Sequence, residues 1–200
     1  MSDNTGITTQ QFNDIVELGA PALPYVFEKM KDDPILFVAV QQITKKKFHP
    51  VKLGIDPNNN SRWTVEEYSD INDVNGVHWH KVWLRWWKED ANKTPQQFEN
   101  LYQQWKTLKE EGKEIEAKEK YQRMTDLGIS ALPSMMEKVE QGDTNLVSAI
   151  SELTEGKVNK NAKKSDCLNW WQNNKQKWLM PFVQPTSIQD VNEPNSLKHE

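Results

Sequence analysis

Apolar positions along the chain recur with a helical period, and the same order of elements is written twice. Phe12, Ile15, Val16 and Leu18 form one face that stops at Gly19, and Thr8 with Gln11 ahead of them has capping-box spacing. This predicts a short first helix. A second is expected from near Pro21 to about Lys31, with Pro24 tolerated because first-turn N–H groups lack intrahelical partners. Asp33-Pro34 then reads as the N-cap and first residue of a third helix, with Leu36, Val40 and Ile43 turned inward. The second round follows suit: Tyr121, Met124 and Leu127 lead to Gly128, a helix runs to about Glu140, and Asp143 caps Leu146, Val147, Ile150 and Leu153.

The recurrence extends from pattern to identity. Leu18-Gly19-Ala20-Pro21-Ala22-Leu23-Pro24 returns as Leu127-Gly128-Ile129-Ser130-Ala131-Leu132-Pro133, and each copy ends in a tryptophan pair, Trp86-Trp87 and Trp170-Trp171. An offset of 109 aligns the glycine turns, 110 the third helices and 84 the tryptophan pairs. The difference between 110 and 84 leaves about 26 residues of the first copy, between Phe48 and Asn75, with no counterpart. Between the copies, Thr94-Pro95-Gln96-Gln97 predicts the start of a longer helix with Phe98, Leu101, Tyr102, Trp105 and Leu108 on one face. The Lys/Glu-rich stretch from Gly112 to Arg123 reads as a solvated face. The expected organisation is therefore a first unit at 8–94 with an insertion at 49–74, then a connecting helix and second unit at 95–180. The polar, proline-bearing tail at 181–200 is expected to be extended or disordered. Residues 8–180 should be almost entirely helical, an all-α fold.

A Gly-x-x-Ala-Leu-Pro turn followed by a capped helix of the form Asp-x-x-Leu-x-x-Ala resembles the HEAT repeat family of α-solenoids, over about 10–48 and 120–157. The resemblance implies a superhelical scaffold that binds other molecules, usually proteins. Solenoids usually need about three repeats for a continuous core, so the tryptophan-bearing helices are expected to act as extra layers or caps.

A formal net charge of −4 supplies no overall attraction for nucleic acid or anionic lipid. Cys167 is the only cysteine, which excludes an intramolecular disulfide. The longest apolar run, Ile35 to Val40, is far short of the roughly 18 residues of a membrane span. A soluble protein is expected, cytoplasmic by default and exported if a signal peptide has been removed.

Nine tryptophans in 200 residues stand out. Trp86, Trp87, Trp170 and Trp171 are matched between the copies and read as packing. Trp63, Trp79 and Trp83 are unmatched, since Lys163 and Cys167 stand where Trp79 and Trp83 do. On a helix from Gly76 to Ala91, Trp79, Trp83 and Trp86 make one stripe and Leu84, Trp87 and Ala91 another. Either the insertion folds over the surplus stripe, or that stripe is exposed for binding, with Arg62, Trp63, Trp79 and Trp83 as the site. Replacing the insertion with the second copy's short connection should then leave a folded protein that no longer engages its partner.

Asp56, Asn58, Asn60, Thr64 and Glu67 have the spacing of a calcium loop, although Ser61 replaces the glycine of its sharp turn; the competing reading is a turn followed by a helix capped by Thr64. His78 and His80 lie about 200° apart on a helix and do not share a metal there. Lys45, Lys46 and Lys47, and Lys157, Lys160, Lys163 and Lys164, follow the third helices, where the helix dipole favours cations. No Gly-rich phosphate loop, nucleophile elbow or His-Glu-x-x-His motif occurs. The expectation is a non-catalytic binding or scaffolding module for a protein or peptide, without cofactor or metal. One alternative is small-ligand or glycan binding through the unmatched tryptophans; another is a HEAT-like enzyme or nucleic-acid binder.

Overall fold

The computed structural model describes residues 8–56, 59–71 and 78–181. The first copy opens with α1 (Thr9–Leu18), capped by the predicted box: Thr8 Oγ1 accepts the Gln11 N–H, and Gln11 Oε1 accepts the Thr8 N–H. A single 3-10 turn, Ala20–Ala22, leads into α2 (Leu23–Lys29), and another, Pro34–Leu36, into α3 (Phe37–Thr44). The second copy repeats this order with α6 (Glu114–Asp126), α7 (Leu132–Glu140) and α8 (Val147–Leu153). Each copy is completed by a tryptophan-bearing helix, α4 (Trp79–Arg85) and α9 (Lys164–Trp178). The connecting helix α5 (Thr94–Glu110) forms a helical hairpin with α6 and also packs on the Gly128–Ala131 turn and α7.

The copies share backbone conformation at the positions that set their shape. Gly19 and Gly128 both take positive φ, 71° and 75°, and Lys45 and Glu155 both take 54°. Asp33 and Asp143 both cap, their Oδ1 atoms accepting the N–H groups of Ile35 and Asn145. These are local devices, satisfied within two to four residues, and for that reason they survive divergence of the surrounding side chains.

The two copies meet at the end of α3, and one contact there joins equivalent positions. Lys45 and Glu155, which occupy the same place in their respective copies, form an ion pair with each other. Gly128 lies against the backbone of Thr44 and Lys46, while Gly19 and Ala20 share a cleft with Glu155 and Lys157. The seam is closed by the Lys47 N–H, which donates to the Asp126 carbonyl at 2.9 Å.

The helical reading of 8–180 is corrected in one place. Pro50–Asp56 and Asn59–Val65 are antiparallel strands β1 and β2, paired from Pro50↔Val65 to Asp56↔Asn59 with irregularity at Gly54. The signal was present: Val51, Leu53 and Ile55 alternate with Lys52, Gly54 and Asp56 at period two, and Trp63, Thr64 and Val65 favour strands. A 3-10 segment, Glu66–Ile71, brings the chain back to the helices. The expected tail conformation concerns residues that, beyond Pro181, lie outside the described ones.

Candidate functional site

Among the residues expected to bind, Trp83 is corrected first. It is 2% exposed and offers no surface to a partner. Its ring meets Phe48 edge-on at 4.8 Å and Trp86 at 5.4 Å, and Tyr68 from the insertion packs on the other side of Phe48 at 5.7 Å. In the second copy the same places hold Val158 and Cys167, both buried. The first core is thus the same core built larger, and the added volume is what the insertion helps to enclose. Removing the insertion would uncover Phe48, so the shortened chain is expected to lose stability rather than remain as folded as the original.

Trp79 is half-buried against the core. The two stripes that conflicted on an ideal helix are reconciled by a π-helical turn at Trp86–Asp90. Widening the helix there lets Trp86 face Phe48 while Trp87 stacks on Phe27 of α2 at 4.5 Å. Arg62 and Trp63 sit in β2 opposite Gly54 and Lys52; their side chains lie outside the described residues.

The calcium-loop reading and the Thr64-capped helix both give way to the hairpin. Asn60 and Thr64 lie on one extended strand, roughly 13 Å apart at about 3.3 Å per residue. A single calcium needs all its ligands at about 2.3–2.6 Å. Asp56 ends β1, Glu67 follows in the 3-10 segment, and Asn58 lies outside the described residues.

The lysines after α3 belong to the seam. Lys47 pairs with Glu152 and Asp126, and the largely buried Lys46 places its Nζ 4.7 Å from the Phe48 ring centre. Burial pulls the Lys47 pKa down, but hydrogen bonding and attraction from Glu152 and Asp126 outweigh it, so the ammonium is held above its usual range. Asp126 is 5% exposed and also faces His49 Nε2 at 3.3 Å and accepts from Gln122 at 3.0 Å. These groups border a cleft of about 450 Å³ shared by both copies, whose far wall includes Tyr68 donating to Asp90 at 2.7 Å. Charges here partner one another across the seam, which clasps the copies together.

A second concavity is of a different kind. Ile15 and Leu18 of α1, Pro21 and Ala22 of the turn, Tyr25 and Val26 of α2, and Leu36 line an apolar groove of about 640 Å³. Lys29, Asp32 and Asp33 close one end. Leu18 and Tyr25 are 63% and 73% exposed. A continuous open apolar surface of this kind marks interaction sites on soluble proteins. In the sequence Ile15 and Leu18 read only as part of the apolar face of the first helix, which carries no signal that the face is exposed.

The counterpart in the second copy is full. Met124, Leu127, Ser130, Ala131, Met135 and Leu146 stand at the places of Ile15, Leu18, Pro21, Ala22, Val26 and Leu36; all six are buried, whereas in the first copy only Ala22, Val26 and Leu36 are. Helix α5 lies over them, with Phe98, Tyr102 and Trp105 buried and Trp105 against the Tyr121 ring at 5.7 Å.

Comparison with protein-family models, with curated proteins and with solved structures gives no match for this chain. Among the described residues no helix is long and apolar enough to cross a membrane.

Proposed function

We propose that this chain is a non-catalytic binding module that docks a protein or peptide partner in the groove of its first copy. The observation carrying this reading is that among the described residues no helix covers the groove, while the equivalent face of the second copy is covered by α5. Its walls are aliphatic and aromatic and its polar groups are confined to one end, the usual make-up of a protein interface with an apolar centre and a polar rim. The resemblance to HEAT repeats points the same way, as a scaffold of paired helices whose exposed faces recruit other chains. Glycan binding has less support, because stacking platforms need exposed coplanar rings and Trp83 is in the core. Nucleic-acid binding is likewise less supported, since Lys45 and Lys47 are engaged with Glu155, Glu152 and Asp126.

A photoreactive phenylalanine derivative at Tyr25 tests the reading in lysate of the source organism, with the same group at the exposed Asn173 as control. The expected result is a discrete adduct from position 25 that disappears when Leu18→Glu is added. Labelling at 25 no stronger than at 173, or unchanged by Leu18→Glu, would show that the groove recruits nothing.

A further inference from the structure

The way α5 is held on the second copy describes what the first copy's groove is built to receive. Two polar clasps fix α5 in place: Lys138 Nζ pairs with Glu99 at 2.8 Å, and the Tyr102 hydroxyl donates to Asp143 Oδ2 at 2.7 Å. Lys138 Nζ also sits 4.9 Å from the Tyr102 ring centre. Lys138 and Asp143 have direct counterparts in the first copy, Lys29 and Asp33, and both line the open groove. Asp33 Oδ1 caps the following turn just as Asp143 Oδ1 does. Its Oδ2 and the Lys29 ammonium have no described partner, so among the described residues the first copy keeps the clasps without a helix for them to hold.

We infer that the groove receives an amphipathic α-helix of a partner protein in the α5 mode. Such a helix presents large apolar residues at i, i+4 and i+7, as Phe98, Tyr102 and Trp105 do, with a carboxylate at i+1 for Lys29 and a tyrosine hydroxyl at i+4 for Asp33. Charge and hydrogen-bond complementarity, not apolarity alone, select this occupant. Residues 1–7 and 182–200 contain no tyrosine or tryptophan, so neither carries the pattern. The chain's own α5 is engaged on the second copy. The inference rests on the binding-module reading and deepens it.

The probe is a labelled, end-capped peptide of residues 94–110, titrated into the full chain and followed by anisotropy and by its gain of helicity. Saturable binding is expected, with affinity reduced roughly tenfold by Lys29→Glu and restored when the peptide carries Glu99→Lys. Leu18→Glu should abolish binding; Leu18 and Lys29 are exposed, and an unchanged circular dichroism spectrum and melting temperature confirm that these variants fold. Absence of binding by the wild-type chain, binding indifferent to Lys29 and Leu18, or failure of the charge swap each overturns the inference. Concentration-dependent dimerisation lost in Leu18→Glu would assign the groove to a second copy and overturn it as well. A Tyr25 adduct that persists while the peptide fails would leave the binding module standing and remove only the helix mode.

Discussion

Leu127 is 8% exposed and Leu18 is 63% exposed, although both stand at the end of the first helix of the same repeated unit, Leu18 as its last residue and Leu127 as its C-cap, each directly before the equivalent glycine. Much of the unit is unchanged: the Asp33 and Asp143 caps, the positive-φ positions and the prolines Pro24 and Pro133 agree between the copies. What differs is the layer above it. A triplet of helices buries one face on its neighbours and leaves the other to be covered by something else, and in the second copy that is α5. In the first copy the same kind of face is apolar, carries the same Lys and Asp clasps, and has no described helix over it.

The largest expected effect breaks the seam between the copies. A methyl group at Gly128 would stand 2.2 Å from the Thr44 carbonyl oxygen and 2.6 Å from the Lys46 nitrogen, both backbone atoms. At Gly19 the nearest atom is the Lys177 carbonyl at 3.1 Å. Gly128→Ala is expected to cost about 4 kcal/mol or more, and Gly19→Ala about 1–2 kcal/mol from left-handed strain, as read by urea unfolding. Equal costs would mean that the two turns are not distinguished by what packs on them. Next comes the covering layer: Trp105→Ala should destabilise the chain by about 3 kcal/mol, whereas Tyr25→Ala on the open face should stay within about 0.5 kcal/mol.

The smallest effect sharpens the account of the clasps. Glu99 is held below the usual carboxylate range by hydrogen bonding to Lys138 and Gln103. Burial pushes the Asp143 carboxyl up, but hydrogen bonds from Tyr102 and Asn145 outweigh it and leave it lowered. The Tyr102 hydroxyl is raised by burial and by its bond to Asp143, so it remains a donor at neutral pH. Groups lowered on folding contribute stability that is complete above the unfolded carboxylate value of about 4 and is lost as pH falls through the folded value. The melting temperature should be nearly flat from about pH 7 to 5 and decline below about 4, with a shallower decline in Asp143→Asn. An unchanged acid slope in that variant would place the acid sensitivity elsewhere.

Much of the candidate groove was legible as chemistry but not as surface. Ile15 and Leu18 were visible on the apolar face of the first helix and Leu36 on that of the third, yet an apolar face predicts burial without saying by what. Comparing the copies at Pro21 with Ser130, and Tyr25 with Ser134, already shows that the two faces meet different neighbours. The hairpin was equally present in the alternation of Val51, Leu53 and Ile55, but the Asp/Asn-rich stretch after it has the composition of a turn and the spacing of a metal loop, which compete with the strand signal. Tyr68, by which the insertion packs on Phe48, left no periodic signal at all.

The sequence by itself determined the duplication, the helix starts and stops, and the glycines that permit the turns. Each of these depends on hydrogen bonds and backbone dihedrals within about four residues, which a linear pattern records directly. Only the tertiary structure decided that Trp83 is core and Leu18 is surface, that Lys45 meets its own counterpart Glu155, and that one of two like grooves is filled. Burial belongs to a pair of surfaces, and the partner surface is supplied by residues tens of positions away or by no described part of the chain at all.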